Sequence, residues 1–400
     1  MSSSNKKKNV LERMPPEFRD QYFSLFGAPE PETIYPGLYQ KLIDNGADLI
    51  LKRIKQYNEK RKELAKTVRS QIQVSQLERD ETLAKTRIVA SDAGNNGVDL
   101  RSAFAPLYAS TAIVAEGWKI VDEPICNVGE PALWSDEFRA QSRESLLTSK
   151  VQFEVTAEAT VKWNPKYVVI DGMLLLDYGL LPFGSSTESY SKDFDLTITG
   201  AIRMLYACYR SNIPIIGFVK RTQRTSLCQS FGTSQVRDAV LLDLILRRGQ
   251  ITPAESNPMS GLMIDFYKKK AEEMYIPHED IPRITNFYSA YIRTGLTTPF
   301  RLELPEFCLD RVNELSTILY TTSEEDGLPF AIREADTLTR ITGNLSNIRT
   351  LMLYSKALDL VEDGEMDVED LNLLTLQHSE QQTLREDRSY ASTVLTKGEA

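Results

Sequence analysis

Two aspartates stand where short apolar runs of the sequence end. The runs are Val89-Ala90-Ser91-Asp92 and Val169-Ile170-Asp171, and a glycine follows each aspartate within two residues. Such runs predict β-strands, and in α/β sheets ligands collect at the carboxyl ends of strands. Glycine there lets the backbone approach a bound group closely. Asp92 and Asp171 are therefore candidate functional residues, although an aspartate after a strand is also a common turn former.

Acidic residues also lie in the segment before the second strand, where helical spacing runs from Ser135 to Trp163. This segment carries Glu144, Glu154 and Glu158. Glu154 and Glu158 share one face of the predicted helix, so one could point towards the aspartates while the other is solvated. Three carboxylates from two strand ends and a helix would bind one or two divalent cations, an arrangement that cleaves phosphodiesters.

The elements that must position these residues alternate between strand and helix. The spacing of apolar residues predicts further elements through the middle of the chain. The predicted strands are at 107–116, 118–121, 213–219, 284–292 and 300–304. The predicted helices are at 196–210, 236–246, 310–320, 330–341 and 347–361. We therefore predict a mixed α/β core.

The two ends of the chain differ from this core in composition. Residues 39–86 have helical spacing and predict a helical hairpin or a short coiled-coil arm. A basic stripe in this segment either contacts phosphates or is a solvated helix face. The stripe consists of Lys52, Arg53, Lys55, Lys60, Arg61, Lys62, Lys66 and Arg69. Residues 362–400 are acidic and polar, and we expect them to form a loosely ordered tail.

Composition excludes several kinds of site. The four cysteines show no Cys-x-x-Cys spacing, which argues against a zinc ribbon and fits a reducing compartment. With only two histidines, a metal would be held by carboxylates, which favours Mg²⁺ or Mn²⁺ over zinc. The chain lacks the usual phosphate-binding loop of ATPases. Its polar start and the absence of a long apolar segment predict a soluble, cytoplasmic protein without a membrane span.

Several motifs, taken in order, resemble the NurA nuclease family. They are Val-Ala-Ser-Asp at 89–92, Tyr-Val-Val-Ile-Asp-Gly at 167–172, Gly-Phe-Val-Lys at 217–220, Val-Arg-Asp-Ala-Val-Leu-Leu at 236–242, Tyr-Ile-Arg at 291–293 and Pro-Phe-Arg-Leu-Glu-Leu-Pro at 299–305. The resemblance spans about residues 87–341. It implies an α/β fold: an RNase H-like mixed sheet core with flanking helices, forming a nuclease domain at 87–361 after the N-terminal helical arm.

The resemblance also implies roles for particular residues. Asp92, Glu154 and Asp171 correspond to the metal ligands of the family. Glu154 is preferred because its distance before Asp171 fits the family pattern better, and Glu158 remains the alternative. Lys220 resembles the family's lysine after a strand, which could contact the scissile phosphate. The alternative is a strand-end lysine that extends to solvent.

One stretch departs from the family pattern. The family has a histidine in a late helix after a Gly-Tyr-Pro turn, whereas residues 327–336 here read Gly-Leu-Pro-Phe-Ala-Ile-Arg-Glu-Ala-Asp. Leu328 thus replaces the tyrosine and Asp336 the histidine. An aspartate can ligate Mg²⁺ or Mn²⁺, so Asp336 would complete a set of four carboxylates. A weakened or altered site is the alternative.

The function implied by the resemblance is cleavage of DNA ends with Mn²⁺ or Mg²⁺, by an exonuclease that could also cut internally. The family further implies a homodimer that docks on a HerA-type hexameric ATPase. Residues 1–38 could serve this docking through Phe18, Tyr22, Phe23 and Phe26, although core packing is the commoner fate of such residues. Two alternatives remain: a non-catalytic module that binds DNA ends or the ATPase, and an RNase H-like enzyme that acts on RNA or a hybrid.

Overall fold

A computed structural model describes residues 46–100, 103–135, 139–184, 186–232, 236–256, 261–367 and 370. The aromatic residues of segment 1–38 and most of the tail at 362–400 lie outside the described residues. The chain divides into two compact units, Met1–Glu63 and Leu64–Ala400. None of the helices in the described ranges combines the length and apolar character needed to span a membrane.

The second unit is built around one large mixed sheet. The strands of the described residues are β1 (Ser75–Gln76), β2 (Arg87–Asn95), β3 (Val98–Asp99), β4 (Phe104–Ala105), β5 (Tyr108–Glu116), β6 (Lys119–Ile120), β7 (Ile125–Val128), β8 (Tyr167–Asp171), β9 (Ile215–Val219), β10 (Gln250–Ile251), β11 (Glu255–Ser256), β12 (Phe287–Arg293) and β13 (Phe300–Pro305). The main sheet has the order β1-β10-β12-β13-β9-β8-β2-β5-β6, with β11 beside β12 and β7 beside β5. Strands β3 and β4 form a separate pair.

Helices alternate with these strands along the chain. The described α-helices are α1 (Gly46–Arg69), α2 (Glu81–Ala84), α3 (Ala140–Trp163), α4 (Glu188–Arg210), α5 (Ser226–Ser230), α6 (Asp238–Leu242), α7 (Gly261–Glu273), α8 (Ile281–Thr285), α9 (Val312–Thr321), α10 (Phe330–Thr339) and α11 (Gly343–Glu362). Short 3₁₀ helices lie at Tyr178–Leu180 and Glu306–Arg311.

The centre of the sheet consists of the parallel neighbours β2, β8 and β9. All other strand pairs of the described sheet are antiparallel. Every residue of β9 is buried, as are the first four residues of β8. Their unbroken apolar sequence follows from this position, because a strand covered on both faces has no solvated side.

Two helices pack on opposite faces of β2. The Ser91 hydroxyl lies 2.7 Å from that of Thr156 on α3, so α3 covers the face to which Ser91 points. Successive side chains of a strand alternate between faces, so Asp92 points to the other face. Helix α10, which packs on β2 and β5, brings Asp336 to Asp92 on that face.

Most elements predicted for the middle of the chain are confirmed, with shifted ends, but two predictions differ from the structure. Strand β2 continues to Asn95 instead of ending at Asp92, because β5 pairs with it along its whole length. The helix predicted at 236–246 is limited to the five residues of α6. For residues 39–86, where the sequence predicts a helical hairpin or a short coiled-coil arm, the described part has one long helix, α1, followed by β1, which pairs with the distant β10, and by the short α2.

Candidate active site

Three polar side chains lie close together near the carboxyl ends of the parallel central strands. Asp92 lies on β2, Asp171 is the last residue of β8, and Lys220 directly follows β9. The three strands run side by side in the same direction, so Asp171 and Lys220 meet at the carboxyl ends of β8 and β9, beside Asp92, which lies three residues before the end of β2. Gly172, at which the chain leaves β8, has a φ of +124°, which side-chain-bearing residues rarely adopt.

A fourth polar side chain comes from α10. The buried residues Ile332 and Ala335 hold this helix on the sheet and leave Asp336 beside the strand ends. Gly94 permits the close approach, because a Cβ atom at that position would lie 3.0 Å from the Thr339 carbonyl oxygen. The Thr339 hydroxyl also donates a hydrogen bond of 3.5 Å to the carbonyl oxygen of Asp92. Backbone packing between β2 and α10 thus sets the position of Asp336.

The three aspartates form one compact group with Lys220. One carboxylate oxygen each from Asp92, Asp171 and Asp336 lie within 4.8 Å of one another. The Lys220 ammonium lies 2.5 Å from Oδ2 of Asp171 and 2.5 Å from Oδ1 of Asp336. Arg340, one helical turn after Asp336, approaches its other oxygen at 3.4 Å. The group therefore holds three acidic side chains, one central cation and one cation at its rim.

Burial and mutual repulsion shift the pKa values of these carboxyl groups. Burial, followed by the charge of Asp171, raises the pKa of Asp92 to about 7. Burial raises the pKa of Asp171 to about 6, although Lys220 acts in the opposite direction. Burial also acts to raise the pKa of Asp336, but the hydrogen bond and charge of Lys220 outweigh it, so this pKa lies below its ordinary value. Concentrated negative charge is thus only partly compensated within the group.

The donor set fits a hard divalent cation. Carboxylate oxygens are the ligands that Mg²⁺ and Mn²⁺ prefer, and these three are close enough to share one ion. Within the described ranges, no other group of three or more His, Cys, Asp or Glu side chains has such proximity. The Asp171 side chain is 9% exposed and that of Asp336 33%, so the group opens to solvent on the Asp336 side. A cation held here could polarise a phosphate and activate water.

Glu154 is not brought to this group, contrary to the sequence-based expectation. Its carboxylate pairs with Lys150 at 3.2 Å, and it lines a surface groove of about 650 Å³ with Glu158 and Arg203. The residue of α3 that reaches the strand ends is Gln152, which donates to the carbonyl oxygens of Ser91 and Asp171. Residues two apart on a helix point in nearly opposite directions, so Glu154 and its neighbour Glu158 on the same face point away from the sheet.

Two further acids of the sequence have structural surroundings. Glu144 is the α3 acid that reaches β2, where it accepts hydrogen bonds from the Asn95 side chain at 2.8 Å and the Leu107 amide at 2.7 Å. Buried Asp238 accepts hydrogen bonds from the Cys228 amide and the Tyr291 hydroxyl. These hydrogen bonds satisfy the two buried carboxylates. Neither residue belongs to the aspartate group.

A supporting residue that the sequence reasoning missed is Glu303. It is fully buried on β13 and accepts hydrogen bonds from the amides of Leu174 and Leu175, in the loop after Asp171. Its other oxygen faces Arg301 at 3.3 Å and Arg224 at 3.6 Å, and Arg224 lies in the loop after Lys220. One carboxylate therefore ties both loops to the sheet. The signal was present in the sequence, since alternate charged residues in an apolar strand share one face.

The mixed sheet, with parallel central strands that carry carboxylates and with helices on both faces, is an RNase H-like α/β fold. The model of the NurA domain family matches residues 45–341, and the chain belongs to the NurA family. The crystal structure of the NurA nuclease from Sulfolobus solfataricus is similar, with a TM-score of 0.59, 14% identity, and coverage of 82% of this chain and 98% of that chain. A crystal structure of NurA with manganese has a TM-score of 0.47 at 11% identity, covering 80% and 98%. No curated protein matches this chain.

Proposed function

We propose that this NurA-family nuclease is a deoxyribonuclease that depends on Mn²⁺ or Mg²⁺. The observation that carries the proposal is the meeting of Asp92, Asp171 and Asp336 within 4.8 Å at the carboxyl edge of the parallel strands. These three residues would hold the cation, which when bound activates water and stabilises charge on a phosphate. DNA is the proposed substrate because the chain belongs to the NurA family.

The chain's own residues divide the remaining work. The aspartates would hold the cation through carboxylates that the sheet and α10 keep in place. Lys220 supplies a positive charge at the same edge, where it can contact a phosphate oxygen. Glu303 holds the loops that follow Asp171 and Lys220, so that both groups keep their positions during the reaction.

Cleavage of linear DNA by a matched pair of variants tests this proposal. Asp171→Asn should abolish Mn²⁺-dependent cleavage without unfolding, because it removes a ligand charge from the group. Asp195→Asn is the control, since Asp195 pairs with Lys270 outside the group and is 56% exposed. Full activity of Asp171→Asn would refute the assignment. A wild-type protein that binds DNA ends but cuts neither DNA nor RNA would instead be a non-catalytic module.

Assembly with a second copy and with a HerA-type hexameric ATPase is part of the same proposal. The chain lacks an ATP-binding loop, so movement along DNA would depend on such a partner. Helix α11 exposes apolar side chains that the rest of the described chain leaves uncovered. They include Leu345, Ile348, Leu351, Met352, Leu353, Tyr354 and Leu358, which are 40–67% exposed.

We propose that α11 contributes to the dimer interface. Leu351→Asp should convert the dimer to a monomer in light scattering coupled to size exclusion, because it places a charge on the apolar face. Val161→Asp, at a 77% exposed position on α3, is the matched control and should remain dimeric. A Leu351→Asp protein that stays dimeric would contradict this role of α11. Co-elution with a HerA-type ATPase tests the second partner.

A further inference from the structure

Lys220 occupies the centre of the group in which a divalent cation would bind. Its ammonium lies 2.5 Å from one oxygen of Asp171 and 2.5 Å from one oxygen of Asp336. These contacts give two of the three aspartates an internal positive partner. Among the described basic residues, Arg340 is the other one that pairs with an aspartate of the group, and it reaches only Asp336, at 3.4 Å.

We propose that Lys220 and the divalent cation compete for the same carboxylate oxygens, and that displacement by the cation makes the Lys220 ammonium available to a substrate phosphate. This inference rests on the proposed function, because it assumes that the aspartates bind a metal. It assigns Lys220 two successive partners: the aspartates first and the phosphate afterwards.

Distance and charge argue for competition instead of coexistence. Mg²⁺ binds carboxylate oxygens at about 2.0–2.1 Å, so an ion shared by Asp171 and Asp336 would lie within the space that the ammonium takes. An ion and an ammonium in contact with the same two oxygens would also repel each other at short range. Binding of the cation therefore requires Lys220 to leave.

The surroundings of Lys220 allow this movement. The residue directly follows β9, and residues 220–225 contain neither helix nor strand before α5 begins at Ser226. Its side chain is 22% exposed, so a path to solvent exists. A lysine carries its charge on a flexible four-carbon stem, which can swing to a new partner without moving the backbone. The displaced ammonium remains tethered at the edge where the proposed scissile phosphate lies.

Competition predicts that removal of the Lys220 ammonium strengthens the binding of the cation. If Lys220 pairs with the aspartates in most molecules, the apparent affinity for the cation is the intrinsic affinity multiplied by the fraction of molecules in which the aspartates are free. Lys220→Met should therefore bind Mn²⁺ at least about tenfold more tightly than wild type, within the usual ~5–150-fold range of coupling between ligands. A lysine that only holds the aspartates in place would give the opposite result.

Arg340→Met is the matched control for charge. It also removes one positive charge next to Asp336, but the Arg340 side chain is 70% exposed and contacts only one aspartate. Exposed pairs contribute little, so its affinity for Mn²⁺ should change by no more than about twofold. Titration calorimetry with Mn²⁺ and no DNA measures all three proteins without reference to cleavage.

Chemical labelling of wild-type protein tests the movement itself and does not depend on the folding of a variant. Acetylation of Lys220, followed by mass spectrometry, should increase when Mn²⁺ is added. Lys270, which also contacts two carboxylates, those of Asp195 and Glu273, is the control and should not change. Unchanged or lower labelling of Lys220, or Mn²⁺ binding by Lys220→Met that is no tighter than wild type, overturns the inference alone. Absence of Mn²⁺ binding by both proteins refutes the proposed function as well.

Discussion

Replacing Asp92 with asparagine should make the protein more stable in the absence of metal, while removing its capacity to be stabilised by metal. Burial, together with the charge of Asp171, raises the pKa of Asp92 from 3.8 to about 7. Above about pH 7 the folded protein therefore carries a carboxylate charge that its surroundings disfavour. Asparagine has nearly the same shape and no charge, so Asp92→Asn relieves this cost.

The size and direction of the effect follow from the pKa. The pKa of Asp92 is higher in the folded than in the unfolded protein, so folding favours the protonated carboxyl group. The stability that this group contributes is therefore present below about pH 4 and is lost as pH rises through about 7. About three pKa units at ~1.4 kcal/mol each set a ceiling of about 4 kcal/mol. Asp92 shares its charge interactions with Asp171 and is partly reached by solvent, so we expect about half of this, ~2 kcal/mol, at pH 8.

Urea unfolding at pH 5 and pH 8 in EDTA measures this contribution. The advantage of Asp92→Asn over wild type should grow between the two pH values, whereas Asp195→Asn, at an exposed position, should show no such trend. Addition of Mn²⁺ at about 100 times its Kd should stabilise wild type by ~2.7 kcal/mol and the variant by much less. The reasoning is refuted if Asp92→Asn is less stable than wild type at pH 8 in EDTA, or if its advantage does not depend on pH.

Two further predictions concern the supports of the site and the rest of the fold. Gly94→Val should push α10 away from β2, which should cost ~1–3 kcal/mol in urea unfolding and weaken Mn²⁺ binding in calorimetry. Gly343→Ala is the control, because a Cβ atom added at Gly343 has no neighbour within 4 Å. Unchanged Mn²⁺ binding by Gly94→Val would contradict the role of this contact. Glu314→Gln removes a carboxyl group whose pKa is lowered to about 2, first of all by the hydrogen bond from Arg311. The substitution should lower the free energy of unfolding by ~1 kcal/mol at pH 7 and by less as the pH falls to 3. An equal loss of stability at both pH values would count against this.

The strands that carry the site were accessible to sequence reasoning because their signal is local. Buried strands are short unbroken apolar runs, and the residues at which they end can be read directly from the sequence. Asp92 and Asp171 were found in this way, although β2 continues three residues beyond Asp92, and both lie beside Lys220, which the resemblance indicated. Asp336 was found differently, because only the resemblance to a family connected the late helix with the strands.

The position of the α3 acids could not be obtained in this way, because it depends on which face of the sheet a helix covers. Periodicity shows that Glu154 and Glu158 share a helix face, but it does not show where that face points. Packing of α3 on the Ser91 side of β2 decides the question, and this packing is a contact between distant parts of the chain. The same limit applies to β1, whose pairing with β10 no local pattern indicates.

Whether α3 or α10 supplies the carboxylate that joins Asp92 and Asp171 therefore depends on which face of the sheet each helix covers. This can be tested directly. Asp92 points to the face that α10 covers, so α10 can complete the group and α3 cannot without crossing the sheet. Asp336→Asn should then weaken Mn²⁺ binding at least about tenfold, as loss of a direct ligand does, whereas Glu154→Gln should leave it unchanged. Each substitution removes one carboxylate charge and preserves shape, so the difference between them isolates position. If Glu154→Gln weakens Mn²⁺ binding as much as Asp336→Asn does, then α3 contributes a ligand after all and the separation by faces of the sheet is wrong.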